Sequence, residues 1–157
     1  MIGESAPNFT LKNTGKTDVS LSDYKGKTVI LAFFPGAFTG VCDTEMCSFQ
    51  DNFSKLSESN AAVIGISGDS PWANAEFASK YNLEFELLSD LDREVVEAYD
   101  AKFIGLGGIE GNVSANRVEI VIDSNGFIKH RWVAENPGIE PDYDAIIKLA
   151  ESLNKSE

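Results

Sequence analysis

Runs of apolar residues alternate with turn signals along the chain, and two of the runs carry almost no polar break. Thr28 to Phe34 (TVILAFF) and Ala61 to Ser67 (AAVIGIS) read as strands buried on both faces. Pro35 and Gly36 end the first. Between the two strands, Met46, Phe49, Phe53 and Leu56 recur three or four residues apart, which predicts a helix over 42–56. Asp69-Ser70-Pro71 predicts the start of a second helix, because a cap residue precedes a proline at the first helical position. That helix runs to about Tyr81, with Ala73, Phe77 and Ala78 facing inward.

Shorter elements fill the rest. Phe9 to Leu11 and Val19 to Leu21 predict brief strands around a turn at 13–16. Phe85 to Leu88 predicts another strand, and Ser89 is expected to cap a helix reaching about Tyr99, with Asp92 completing a capping box. Residues 104–116 hold four glycines and few core candidates, so a loop is expected. Arg117 to Ile122 and Phe127 to Val133 predict a hairpin around 123–126, and Ala134 to Ile139 a loop. The helix Asp142 to Leu153 is expected to bury Ile146, Ile147, Ala150 and Leu153. A β-α-β start followed by a closing hairpin and helix is the thioredoxin-like arrangement. The expected fold class is therefore α/β, a mixed sheet flanked by helices, as a single domain over 1–157.

Composition narrows the partners. The chain has 157 residues, 13 basic and 25 acidic, for a net charge of −12. Such a charge repels nucleic-acid phosphate and anionic membranes, so neither is an expected partner. No apolar stretch approaches the length of a membrane span, and the first residues have no secretory pattern. The two cysteines lie five positions apart, which suits free thiols in a reducing cytoplasm better than a disulfide scaffold.

Cys42 and Cys47 are the natural nucleophiles, and they differ. Cys42 falls where a strand and loop turn into a helix. The amide N–H groups of a first helical turn lack intrahelical partners and favour a thiolate. Cys47 lies about 140° around and about 7.5 Å along a continuous helix from Cys42. The Cα atoms are then about 8–9 Å apart, beyond the roughly 7 Å a disulfide allows. A Cys42–Cys47 bond would require the first turn to unwind. Cys47 is thus either a resolving cysteine reached by local unfolding or a packed thiol. The spacing C-x4-C is not that of direct thiol–disulfide exchange, and His130, the single histidine, offers no zinc site or catalytic pair. No metal or organic cofactor is expected.

The segment Pro35-Gly36-Ala37-Phe38-Thr39-Gly40-Val41-Cys42 has the pattern P-x-x-x-[ST]-x-x-C and resembles the signature of the peroxiredoxins. Cys42-Asp43-Thr44-Glu45-Met46-Cys47 resembles their one-cysteine and bacterioferritin-comigratory branches. Ala6-Pro7-Asn8-Phe9, Leu87-Leu88-Ser89-Asp90 and Arg117 leading into Val121-Ile122-Asp123 extend the resemblance over nearly the whole chain. It implies a thiol peroxidase that reduces hydrogen peroxide and organic hydroperoxides. Cys42 would be the peroxidatic cysteine and Arg117 the cation at its sulfur. Thr39 would hold the peroxide oxygen, and Pro35 would shield the thiolate. Glu45 would order the arginine. It further implies recycling by Cys47 or by a thioredoxin- or glutaredoxin-like dithiol, and a monomer or homodimer. A redox relay would share Cys42 without needing Thr39 and Arg117 aimed at a peroxide; a non-catalytic binding domain would keep the fold alone.

Overall fold

The computed structural model describes residues 1–155, apart from the side chains of Val41, Cys42, Asn154 and Lys155. Nine strands are described: β1 (Thr10–Lys12), β2 (Asp18–Ser20), β3 (Thr28–Phe33), β4 (Ala61–Ser67), β5 (Glu86–Ser89), β6 (Lys102–Ile104), β7 (Val113–Ala115), β8 (Val118–Ile122) and β9 (Ile128–Val133). The α-helices are α1 (Val41–Asp51), α2 (Phe53–Glu58), α3 (Pro71–Tyr81), α4 (Glu94–Ala98) and α5 (Tyr143–Lys155). Seven strands form one sheet in the order β2-β1-β5-β4-β3-β8-β9. Its centre, β5-β4-β3, is parallel, and β8 and β9 add antiparallel on one side. The thioredoxin-like mixed sheet expected from the sequence is the one observed.

Alternation along β3 explains why both faces need cover. Val29, Leu31 and Phe33 pack with Ile64, Ile66, Tyr99 and Ile120 on one side. Ile30, Ala32 and Phe34 pack with Met46, Phe49, Phe77, Val121 and Ile146 on the other, beneath α1, α3 and α5. Gly65 in β4 has no room for a side chain: a Cβ there would stand 2.6 Å from Leu87 and 3.5 Å from the Met46 sulfur. The glycine lets α1 lie close to the sheet.

The differences from the sequence reading have local causes. The helix expected over 42–56 breaks at Asn52, whose side-chain amide donates to the Ser48 carbonyl at 2.9 Å and draws the chain out of the helical ladder. Ser89 ends β5 instead of capping a helix. The next helix starts later, at Glu94, and the Asp90 carboxylate accepts from the Val96 amide at 2.7 Å. Within 104–116 the glycine-rich stretch is bracketed by β6 and β7, which pair antiparallel as a separate ribbon. The expected α3 start holds: Ser70 Oγ accepts from the Ala73 amide at 3.2 Å, with Pro71 at the first helical position.

Candidate active site

Pro35 follows the last residues of β3, and the Phe34 amide makes a final ladder bond to Ile66 at 3.0 Å. Proline has no N–H to continue the ladder, so the chain leaves the sheet here. It crosses the C-terminal ends of β3 and β4, where open parallel sheets bind their ligands. The loop is braced from β4. The Asp69 carboxylate accepts from the Ala37 amide at 2.8 Å and from the Ser67 hydroxyl at 2.8 Å. Phe38 takes a left-handed backbone (φ 62°), with its ring edge-on to Phe77 and under the Lys80 ammonium. Thr39 donates its hydroxyl proton to the Gly36 carbonyl at 2.7 Å, closing a one-turn loop.

Gly40 then opens α1 with φ 80° and ψ −77°, and it offers no capping side chain. The amides of the first turn therefore lack a side-chain cap and carry the positive end of the helix dipole. Cys42 is the second residue of α1. Its side chain lies outside the described residues, so its role stays an expectation here.

One turn further, Glu45 is fully buried. Its Oε1 accepts from Arg117 Nη1 at 2.9 Å, and the two side chains are 0% and 1% exposed. Arg117 also donates through Nε and Nη2 to the Pro137 carbonyl at 3.0 and 2.8 Å. The Asn116 side chain fixes the approach by accepting from the Arg117 amide at 2.8 Å and donating to the Ala134 carbonyl at 2.8 Å. Of the residues singled out from sequence, Arg117 and Glu45 are thus in contact, although 72 positions separate them. Pro35 and Thr39 lie in the loop that leads into α1, the helix that carries Glu45.

Cys47 lies on α1, partly covered. Burial, then Asp51 and Asp43, push its thiol up. Asp43 accepts a short hydrogen bond from the Tyr81 hydroxyl at the end of α3. Gln50 ties α1 to the stretch between α3 and β5, donating to the Glu84 carboxylate and accepting from the Glu84 amide at 2.8 Å each.

Four contributors escaped the sequence reading. Asp69 was legible only as part of a helix start, and Pro137 only as a loop residue. In the sequence Tyr81 signals only the end of a helix. Glu119 had a signal: it is the lone acid inside the apolar strand VEIVI.

The AhpC/TSA family description matches residues 2–131. Chloroplastic peroxiredoxin Q of Sedum lineare is 36% identical over 153 residues, spanning 96% of this chain and 78% of that protein. Peroxiredoxin Bcp of Bacillus subtilis is 36% identical over 131 residues, 83% of each. The crystal structure of peroxidoxin BcpB from Mycobacterium tuberculosis superposes with a TM-score of 0.82 at 27% identity, over 99% of this chain and 96% of that one. The chain belongs to the AhpC/TSA family. Its activity is that of a peroxiredoxin, a thiol-dependent peroxidase.

Proposed function

We propose that Cys42 is the peroxidatic cysteine, acting on hydrogen peroxide and organic hydroperoxides. The observation that carries the reading is the sealed Arg117–Glu45 pair one turn along α1 from Cys42. A guanidinium is fixed there at full charge, at some desolvation cost, beside an uncapped helix start.

In the proposed step the Cys42 thiolate attacks one peroxide oxygen. A sulfur–oxygen bond forms as the O–O bond breaks, and the electron pair leaves on the distal oxygen. That oxygen takes a proton and departs as water or alcohol, while sulfur becomes a sulfenic acid. Arg117 and the first-turn amides face the developing charge. Thr39, whose hydroxyl proton is turned to Gly36, presents its oxygen as an acceptor for the peroxide O–H. Pro35, buried and without a donor, keeps water from the thiolate. A second thiol then condenses with the sulfenic acid, releasing water and leaving a disulfide that a dithiol reduces.

Cys47 is one candidate for that second thiol. A thioredoxin- or glutaredoxin-like protein is the external one. The Sedum relative is a chloroplast protein. For this chain the proposed site of action is the cytoplasm, supported by two cysteines that suit free thiols in a reducing compartment. Among the described residues no helix is long and apolar enough to cross a membrane. The proposed assembly is a homodimer, or a monomer of the single domain.

Stopped-flow oxidation of the reduced protein tests the assignment. Cys42→Ser is expected to abolish the fast reaction, and Cys47→Ser to keep it. A Cys42→Ser variant that still reacts faster than a free thiol would remove Cys42 from the role.

A further inference from the structure

Glu119 is a buried acid that the peroxidase step leaves unused. It is the second residue of β8, opposite Ala32 of β3 and Trp132 of β9, and is 0% exposed. Strand alternation puts it on the same face as Arg117 and Val121, the face that α1 covers. Neither Glu119 oxygen meets an N–H or O–H donor among the described residues, and Glu45 Oε2 meets none either. What each faces is the other's carboxyl, within hydrogen-bonding reach. Two carboxylates in that position repel, whereas a carboxylic acid donates to a carboxylate. A single proton shared between them gives Glu45 Oε2 a donor and engages one of the two Glu119 oxygens.

We infer that Glu119 is a positioning residue that holds a proton against Glu45 and so keeps a single negative charge beside Arg117. The inference rests on the reading of Arg117 as the cation of the peroxidase site. With Glu119 neutral, Arg117 and Glu45 balance, and Glu45 shares its charge with a donor on its far side. With Glu119 ionised, two negative charges face one guanidinium. The field that Arg117 offers a thiolate and a departing oxygen is then cancelled.

The surroundings support this placement of the proton. Burial, then the Glu45 charge, pushes the Glu119 carboxyl well above the usual range. Burial pushes Glu45 up too, but the Glu119 proton and Arg117 pull it back. Among the described residues, His130 of β9 shares this sheet face, across from Val121, and Glu140 and Tyr143 lie just before and at the start of α5. Glu140 adds to the upward push on Glu45, and the Tyr143 hydroxyl, raised chiefly by burial, donates to Glu140 at 3.0 Å. The cross-strand neighbours Ala32 and Trp132 carry no charge.

The test compares Glu119→Leu, which removes the donor, with Glu119→Gln, which keeps a donor and cannot ionise. The readouts are the second-order rate of peroxide oxidation against pH and the infrared carbonyl stretch of neutral carboxylic acids. Glu119→Leu is expected to slow oxidation and to move the thiolate titration, read by alkylation, to higher pH. Glu119→Gln is expected to rescue the rate and to lose the alkaline decline of the wild-type profile. The neutral-acid band at pH 7 is expected to weaken in both variants. An unchanged band, or an alkaline decline that persists in Glu119→Gln, overturns the inference. If Glu119→Leu does not fold, the Glu119→Gln profile and band decide alone. Failure of the Cys42 reading is seen separately, since it leaves the infrared result untouched.

Discussion

Arg117 Nη1 and Glu45 Oε1 stand 2.9 Å apart with both side chains shut away from solvent. Desolvating two charges is costly, and removing one partner leaves the other uncompensated. Glu45→Ala is therefore expected to lower stability by about 3–5 kcal/mol. Glu45→Gln, which keeps an amide oxygen for Arg117, should lose less. Urea denaturation checks this: the midpoint should fall at unchanged slope, in the order wild type, Gln, Ala. Equal midpoints for Ala and wild type would mean that the pair contributes nothing.

Asp69 has a different job, since it braces the loop rather than the arginine. Its carboxylate takes the Ala37 amide and the Ser67 hydroxyl, both at 2.8 Å. Asp69→Ala leaves two donors without acceptors, at a cost of about 1–3 kcal/mol. Because Ala37 belongs to the stretch between Pro35 and Thr39, the rate of peroxide oxidation is expected to fall as well. A variant that is destabilised yet reacts at the wild-type rate would separate the loop's order from its chemistry.

The contact between Tyr81 and Asp43 gives a pH prediction with a defined sign. The hydrogen bond to Asp43 is the main cause holding the Tyr81 hydroxyl up at about 12, against an ordinary value of 10.0. A group whose folded value is raised stabilises the fold while protonated in both states. The contribution is thus fully present below pH 10 and is lost as pH rises through about 12. The stability difference between wild type and Tyr81→Phe should be constant at neutral pH and shrink across that window. Guanidinium unfolding at a series of pH values measures it. A difference that does not change with pH would mean that the hydroxyl does not act through Asp43.

What the sequence made legible follows from how local each signal is. The buried strands Thr28–Phe33 and Ala61–Ser67, the capped start of α3 and the closing hairpin are written in neighbouring residues, and all four stand where the pattern put them. The break at Asn52 depends on a side chain reaching back to Ser48, which periodicity alone does not register. The β6–β7 ribbon depends on two short segments meeting across a glycine-rich turn. At the site, Arg117 and Glu45 were picked out by resemblance, but their contact is a product of the sheet order, which brings β8 beside β3. The Pro137 carbonyl that anchors the guanidinium is backbone, and no side-chain motif can announce it.

Cys47 is where the fold weighs most directly on turnover. It shares the continuous helix α1 with Cys42, so joining the two sulfurs requires the first turn to unwind. Two ties oppose that unwinding: Tyr81 to Asp43 and Arg117 to Glu45. The Cys47 thiol is moreover raised by burial, Asp51 and Asp43, and only its thiolate attacks. Resolution through Cys47 is thus expected to be slow at neutral pH and to quicken as pH rises. Tyr81→Phe should quicken it further by releasing one tie. Intact mass after peroxide treatment without reductant reads the outcome. Loss of two hydrogens marks the internal disulfide, and a gain of oxygen marks sulfenic acid awaiting an external thiol. Cys47→Ser should show only the gain. Wild-type protein that shows the gain at every pH would assign resolution to an external dithiol and leave Cys47 as a packed thiol.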